Sequence, residues 1–374
     1  MTPWIISIFT VVSVYYLDKW ENKHIRSLFD WVPAILLAYL IPAGISAVLG
    51  MDFSQAGIHE YSKSFFIPLA IVAVMSSLSI GQLKSIGWKP ILLFFTGSFW
   101  IAVFPVILIL LLGDHELISS IFIEQGYWKG IPPIVGSWIG GSTSQLVLKE
   151  LIECPENIFL TVLVLDNILV NIWTILMFQG IKKSGFLNQK LKITNLTMPD
   201  EIESSQTKKI RPLISLTILV VSVLLTNMIL ESFVAKIIIL SLLGLIFSNL
   251  IRQWNFTFVL KLGGILIIIV MAVLGLKLKF NLVQFEFSFL GFLIIWLLSH
   301  FIIMLIMAKI LNINTAWVPI ASMANVGGIA TAPAVTAAYE KKWMPHAIIL
   351  AILSMATGTF WGMLTIYLIE NIVM

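Results

Sequence analysis

Two stretches of glycines, hydroxyls and amides interrupt an otherwise apolar sequence. The first reads VGSWIGGSTSQL at residues 135–146, and the second reads SMANVGGIATAPAV at residues 322–335. Glycine adopts backbone conformations outside the helical region, and an unwound backbone at membrane depth must be buried in protein or line a cavity. Its free carbonyls suit Na⁺, and the helix N-terminus that follows suits an anionic group. The candidate solute- or ion-binding residues in these stretches are Gly140, Gly141, Ser142, Thr143, Ser144, Gln145, Asn325, Gly327, Gly328 and Thr331.

A packing role is the alternative explanation for these glycines. Small residues let two helices approach closely, and for one such stretch alone packing is the favoured interpretation. The two stretches, however, occupy corresponding positions in the two halves of the chain, because each follows one long apolar run and precedes another. Two glycine-broken runs in corresponding positions indicate a secondary transporter built from structural repeats.

Asp166 lies in the apolar run LDNILVNIW together with Asn167 and Asn171. A carboxylate at the centre of a bilayer costs about 3 kcal/mol on insertion scales, so we expect it to face the interior of a helix bundle or a water-filled cavity. We predict that Asp166 is a cation ligand or proton carrier, with Asn167 and Asn171 as candidate binding residues beside it. Asn325 is predicted to be a further Na⁺ ligand, since hard cations prefer oxygen ligands. The alternative is that Asp166 accepts hydrogen bonds from the first polar run, and the two roles are compatible.

His300 is a lone histidine in the apolar run WLLSHFII. Such a histidine is more often hydrogen-bonded to a neighbour than titrating, so a structural role is favoured and a binding role is the alternative. A last polar group either lines the cavity or permits close packing, and it consists of Ser354, Thr357, Gly358 and Thr359.

The composition is that of an all-α polytopic membrane protein. The chain has 374 residues, of which 59% are hydrophobic and 11% are charged, and its mean hydropathy is +1.00. A soluble domain carries about 25% charged residues, so this chain needs a lipid bilayer as its partner. The net charge of +4 is mild and predicts no nucleic-acid binding. One cysteine, Cys154, excludes an internal disulfide or a cysteine-based metal cluster, and we expect no cofactor beyond a coupling ion.

The apolar runs predict about 11–13 transmembrane helices in two structural repeats, which we expect to be inverted. The first repeat covers residues 1–180 with a broken helix at 131–152, and the second covers 212–374 with a broken helix at 317–339. Between them, the polar stretch 181–211 contains seven Lys and Arg residues and is predicted to be a cytoplasmic linker. Five runs lie between the broken helices, whereas inversion requires an even number of crossings. The weakest of the five is 234–250, and the halves are inverted if this run does not cross the membrane. The runs are 2–17, 31–49, 64–81, 90–112, 131–152, 157–180, 212–230, 234–250, 258–276, 287–311, 317–339 and 346–371.

The ordered motifs GSWIGGSTSQ, LDNILVNIW and SMANVGGIATAPAV resemble those of the YjcL-like integral membrane family, long labelled a domain of unknown function. The resemblance runs nearly end to end and includes the second run, WVPAILLAYLIPAGI. That family resembles the superfamily of bile-acid/sodium symporters, auxin efflux carriers, sodium–glutamate symporters and cation/proton antiporters. The resemblance implies a panel domain, a core domain with two crossing broken helices, alternating access and a homodimer.

The resemblance also carries functional residues onto this chain. The first family motif falls on Gly140, Gly141 and Ser142, the later Asp, Asn and Trp on Asp166, Asn171 and Trp173, and the second motif on Asn325, Gly327, Gly328 and Thr331. In one departure, Ser144 stands where relatives tend to have an asparagine, and Gln145 is the nearest amide.

Together these features predict a multi-pass secondary transporter of the bacterial cytoplasmic membrane. It would couple a Na⁺ or H⁺ gradient to movement of a small carboxylate-bearing solute, such as an amino acid, short peptide or organic acid. A Na⁺/H⁺ antiporter without organic substrate is the first alternative. A membrane-embedded enzyme or lipid-handling protein is the second, but the sequence has no HExxH, GxSxG or Walker lysine loop, and we predict no enzymatic activity.

Overall fold

The computed structural model describes residues 1–20, 34–112, 115–196, 209–278, 287–337 and 339–373. The regular structure among these residues is helical throughout. The helices are α1 (Thr2–Lys19), α2 (Ala34–Leu49), α3 (Ile58–Met75, with a π-helical turn at Ser62–Phe66), α4 (Ile80–Leu83), α5 (Trp88–Leu112), α6 (Glu116–Ser119), α7 (Ile131–Leu151), α8 (Glu156–Lys182), α9 (Ser184–Leu191), α10 (Pro212–Ile229), α11 (Phe233–Leu250), α12 (Phe256–Gly275), α13 (Phe287–Ile310), α14 (Trp317–Val326), α15 (Gly328–Ala337) and α16 (Met344–Leu368).

Eight of the described helices are long and apolar enough to cross a membrane, by length and composition. They are α3, α5, α8, α10, α11, α12, α13 and α16. Two shorter apolar segments lie in α1 and α2, at Thr2–Leu17 and Leu37–Leu49. These helices confirm the prediction of a multi-pass, all-α membrane protein. The run at 234–250, the weakest prediction, forms α11 and meets the same criteria.

Most predicted runs and observed helices agree within a few residues, with two differences. The run at 64–81 is shifted, because α3 begins at Ile58 and ends at Met75, and the chain turns before α4. The predicted linker at 181–211 contains the helix α9, whose residues Ser184 and Asn188 are buried. Residues 31–33 and 197–208, which fall in the predicted second run and the linker, lie outside the described part of the chain.

The chain forms two compact units, each assembled from separate segments. The first unit comprises Met1–Ser77, Glu153–Ile168 and Lys208–Phe285. Within it, α12 packs against α1, α2 and α3, and α10 and α11 pack against α3. Trp254, which is 2% exposed, anchors the loop before α12 by donating from its indole nitrogen to the carbonyl of Ser76 at 2.8 Å. The first unit therefore has its own apolar core around α3.

The second unit comprises Leu78–Ile152, Leu169–Thr207 and Glu286–Met374. Within it, α16 packs along α7, and both contact α5, α14 and α15. Aromatic rings fill one part of the interior: the rings of Trp138 and Trp296 lie 4.7 Å apart, and Phe292 packs edge-on against Trp296 at 5.7 Å. Both glycine-rich stretches belong to this unit.

Candidate functional site

Helix α7 is interrupted at Gly141, where φ is 67° and ψ is −169°. This combination is essentially restricted to glycine. A Cβ built on Gly136 would lie 2.8 Å from the backbone nitrogen of Gln145, nine residues later. In a continuous helix that separation would be about 13 Å, since each residue adds 1.5 Å. The second half of α7 therefore turns back beside the first half, so Ser142–Gln145 form the start of a new helical segment.

A second interruption separates α14 from α15. Helix α14 ends at Val326, Gly327 lies between the helices, and α15 begins at Gly328 with φ of 64°. Gly327 leaves room for the side chain of Thr331, which lies against its Cα. In each glycine pair, the second glycine (Gly141 or Gly328) thus has a positive φ, which glycine adopts readily.

Helix α16 holds the first interruption in place. The backbones of Gly140 and Gly358 touch, since a Cβ on Gly140 would lie 2.9 Å from Gly358 Cα. The hydroxyl of Thr359 donates to Ser144 Oγ at 3.0 Å, and the hydroxyl of Ser354 donates to the carbonyl of Ile139. The small polar residues of α16 therefore permit close packing, one of the two roles that the sequence left open, and two of their hydroxyls bond to the interrupted helix.

Asn325, one turn before the second interruption, is the centre of a buried hydrogen-bond network. Its side chain is 1% exposed. Its Oδ1 accepts from Ser98 Oγ at 2.9 Å and from Ser354 Oγ at 3.2 Å, and its Nδ2 donates to the carbonyl of Phe94 at 3.4 Å. Through these bonds α5 and α16 fix the end of α14.

His300 is fully buried on α13 and contacts α14, the helix that carries Asn325. Its Nε2 lies 3.2 Å from Ser322 Oγ, and Ser322 also accepts from the indole nitrogen of Trp173 at 2.9 Å. Gly97 gives the ring its space, because a Cβ there would lie 2.8 Å from His300 Cε1. Ser322, the hydrogen-bond partner of His300, thus lies one helical turn before Asn325 on α14.

Three polar atoms beside the interruptions are buried without a hydrogen-bond partner in the protein. They are the hydroxyl of Thr143, the amide nitrogen of Gln145 and the hydroxyl of Thr331. Thr143 is 6% exposed and Gln145 is 3% exposed. Most buried polar groups in proteins are hydrogen-bonded, so three orphaned atoms at two matching breaks indicate a place for a polar ligand.

The structure places the remaining predicted residues on α8. Asp166 is 7% exposed and belongs with Asn167 to the first unit, whereas Asn171 is half-buried in the second unit. Gly140, Gly141, Ser142, Thr143, Ser144, Gln145, Asn325, Gly327, Gly328, Thr331 and His300 all belong to the second unit. In the described part of the chain, no three His, Cys, Asp or Glu side chains are grouped as metal ligands.

Sequence reasoning did not single out Ser98, which hydrogen-bonds to Asn325, or Ser322, which hydrogen-bonds to His300. Ser98 follows Gly97 in the otherwise apolar stretch LLFFTGSFW, and this glycine–hydroxyl pair resembles those in the two interrupted stretches. A small polar pair in a long apolar run was therefore a usable signal.

The chain was also compared with known proteins. No curated protein and no solved structure matches it. One family model matches residues 5–372, and its description is "Protein of unknown function (DUF819)". Since the match covers nearly the whole chain, this multi-pass membrane protein belongs to the DUF819 family, a family of unknown function.

Proposed function

We propose that this protein is a secondary active transporter that moves a small carboxylate-bearing solute across the bacterial cytoplasmic membrane. The observation that carries the proposal is the set of orphaned polar atoms on Thr143, Gln145 and Thr331, at two glycine interruptions within one unit. A buried polar group without a partner costs about 1–3 kcal/mol. A ligand that supplies the missing partners would recover this free energy.

The chemistry around the orphaned atoms favours an anionic group. Two helical segments begin at the interruptions, at Ser142 and at Gly328, and the first N–H groups of a helix have no partner within it. The amide nitrogen of Gln145 is a further donor. Donors and helix N-termini together suit a carboxylate, so amino acids, short peptides and organic acids are the solutes of choice.

We assign the charge that binds the coupling cation to Asp166, which is buried in the spanning helix α8. Na⁺ is the preferred ion, since hydroxyl, amide and carboxylate oxygens are hard ligands. Asn325, the other predicted Na⁺ ligand, would bind a cation only if one hydroxyl left its Oδ1. Either hydroxyl is able to do so, because Ser98 has a second acceptor in the carbonyl of Phe94 and Ser354 has one in the carbonyl of Ile139.

The wider architecture belongs to the same proposal. Two compact units built from separate segments support a panel and a core domain that work by alternating access. The two interruptions support broken helices in two structural repeats, residues 1–180 and 212–374, with 11–13 crossings in total. Five described helices that meet the spanning criteria lie between the interruptions, and this odd number does not support the predicted inversion of the repeats. A homodimer follows from the same superfamily resemblance.

A Na⁺/H⁺ antiporter is the second candidate, and the buried carboxylate of Asp166 is the observation that favours it. The two candidates separate in proteoliposomes. An antiporter loses its Na⁺-dependent proton flux in the Asp166→Asn variant and has no organic ligand, whereas a symporter keeps solute binding in that variant and loses the dependence of binding on Na⁺.

The decisive experiment is a thermal-stability screen of the purified protein against amino acids, dipeptides and organic acids, with and without Na⁺. A ligand that binds only the folded state raises the melting temperature. We expect a carboxylate solute to do so and Gln145→Leu to abolish the shift. Gln253→Leu, the same change at an exposed position, is the matched control. Absence of any solute effect, beside a clear Na⁺/H⁺ exchange signal, would overturn the proposal.

A further inference from the structure

Helix α9 buries two polar side chains, and the lysine within it and the lysines that flank it are exposed. Ser184 and Asn188, one turn apart, are 2% and 7% exposed. On the opposite side Phe186 is 64% exposed, and the four lysines of this region are also exposed, namely Lys182, Lys183, Lys190 and Lys192. The helix is thus attached to the protein by polar contacts and presents cations around an aromatic ring.

The attachment is a network of hydrogen bonds centred on Asn188. Its Nδ2 donates to Asn314 Oδ1 at 3.0 Å, and its Oδ1 accepts from both the backbone nitrogen and the hydroxyl of Thr315 at 2.8 Å. The hydroxyl of Thr315 also lies 3.0 Å from the carbonyl of Ser184. Farther along, the backbone nitrogen of Thr194 donates to Asn312 Oδ1 at 2.9 Å. These contacts fix which side of α9 faces outward.

The position of α9 in the chain places this outward side at the membrane surface. Helix α8 is a spanning helix of 27 residues, about 40 Å long, which is enough to cross the hydrocarbon core and reach the headgroups. Helix α9 begins two residues after α8 ends. Its lysines are therefore at headgroup level, where Phe186 can reach the acyl region.

We propose that α9 and its flanking lysines form a binding surface for anionic phospholipid headgroups. Lys182, Lys183, Lys190 and Lys192 are four cations within eleven residues, and no Asp or Glu occurs between residues 182 and 196. Clusters of this size next to a spanning helix attract anionic lipids, with a contribution from each cation near the surface. Phe186 adds an apolar contact that a soluble anion would not use.

The lipid surface is coupled to the candidate solute site through Asn188. Its partners Asn314 and Thr315 directly precede α14, the helix that carries Ser322 and Asn325. Lipid that holds α9 against this segment stabilises the start of α14. The binding of lipid itself does not depend on the proposed transport function, and it can be tested without any solute.

The test uses the full-length protein in phosphatidylcholine nanodiscs with increasing fractions of phosphatidylglycerol, read out by thermal unfolding. The test variant carries Lys182→Gln, Lys183→Gln, Lys190→Gln and Lys192→Gln. A matched control neutralises four other exposed lysines through Lys63→Gln, Lys84→Gln, Lys209→Gln and Lys261→Gln. We expect the wild type and the control to be stabilised at similar phosphatidylglycerol fractions, and the test variant to need about tenfold more or to show no effect.

Two further measurements locate the effect. Hydrogen exchange should slow at residues 182–196 when phosphatidylglycerol is present, and Phe186→Ser should weaken this protection. An unchanged lipid response in the α9 variant, or an equal loss in the control, would refute the proposal. Equal stabilisation by inorganic phosphate without lipid, or by an acidic peptide in place of lipid, would also refute a lipid surface.

Discussion

The two interruptions look alike in sequence but differ in how their polar groups are satisfied. At the second, Asn325 has three hydrogen-bond partners from α5 and α16, and Ser322 bonds to His300 and Trp173. At the first, the hydroxyl of Thr143 and the amide nitrogen of Gln145 have none. The α14 residues are therefore held in a fixed network, whereas the orphaned groups lie on the second half of α7 and, in the case of Thr331, on α15. Similar motifs need not have equivalent roles in a site.

The largest effect is expected from Gly358→Ala, which tests whether the first interruption depends on its contact with α16. The added methyl group would collide with the backbone of Gly140, so we expect destabilisation of about 3 kcal/mol or more. The measurement is the melting temperature and the monodisperse yield in detergent. Gly291→Ala on α13, where nothing lies within 4 Å, is the control, and helix propensity predicts a gain of up to about 1 kcal/mol there. Equal behaviour of the two variants would contradict the packing described.

The contrast between the fixed network and the orphaned groups is tested by Asn325→Leu against Gln145→Leu. The Leu variant removes the three hydrogen bonds that Asn325 makes, each worth about 1 kcal/mol, so we expect a loss of about 2–4 kcal/mol in unfolding free energy. Gln145→Leu removes an orphaned donor and should be neutral or stabilising by about 1 kcal/mol without ligand. Thermal or denaturant unfolding of the ligand-free protein measures both. If Gln145→Leu were the more damaging change, the assignment of the two sides would be reversed.

Gly141→Ala tests the backbone of the first interruption alone. The φ and ψ of Gly141 are nearly exclusive to glycine, although a Cβ would meet no atom within 4 Å. We therefore expect a loss of about 1–3 kcal/mol from backbone strain without any steric clash. Gly264→Ala in α12, which is equally open and has no positive φ, serves as the reference in the same unfolding assay. A stabilised Gly141→Ala variant would mean that α7 is continuous.

The smallest effect is expected from Ser98→Ala, which removes one of two hydroxyl donors to Asn325. The remaining donor, Ser354, limits the loss in unfolding free energy to about 1 kcal/mol. The double variant Ser98→Ala/Ser354→Ala should cost more than the sum of the single variants, since Asn325 then loses both donors. Strict additivity in the unfolding assay would show that the two bonds act independently.

The helices and the two polar stretches were predictable, but the network between them was not. Apolar runs bounded by charges mark spanning helices because the bilayer requires about 20 consecutive apolar residues, and the length of such a run can be read from the local sequence. The pairing of Ser98 with Asn325 joins residues more than 200 positions apart and depends on which helices are neighbours. The reversal at Gly141 depends on the contact between Gly136 and Gln145 in the same way. Asp166 was identified from the cost of a buried charge, yet its membership of the first unit could not be read from that cost.

The hydroxyl of Ser354 has one hydrogen and two acceptors, the carbonyl of Ile139 and the amide oxygen of Asn325. It can therefore serve only one interruption at a time. In the proposed transporter, a cation bound at the carbonyl would leave the hydrogen to Asn325, and a cation bound at Asn325 would leave it to the carbonyl. Rotation of this one hydroxyl would therefore link the two interrupted helices while both backbones stay in place.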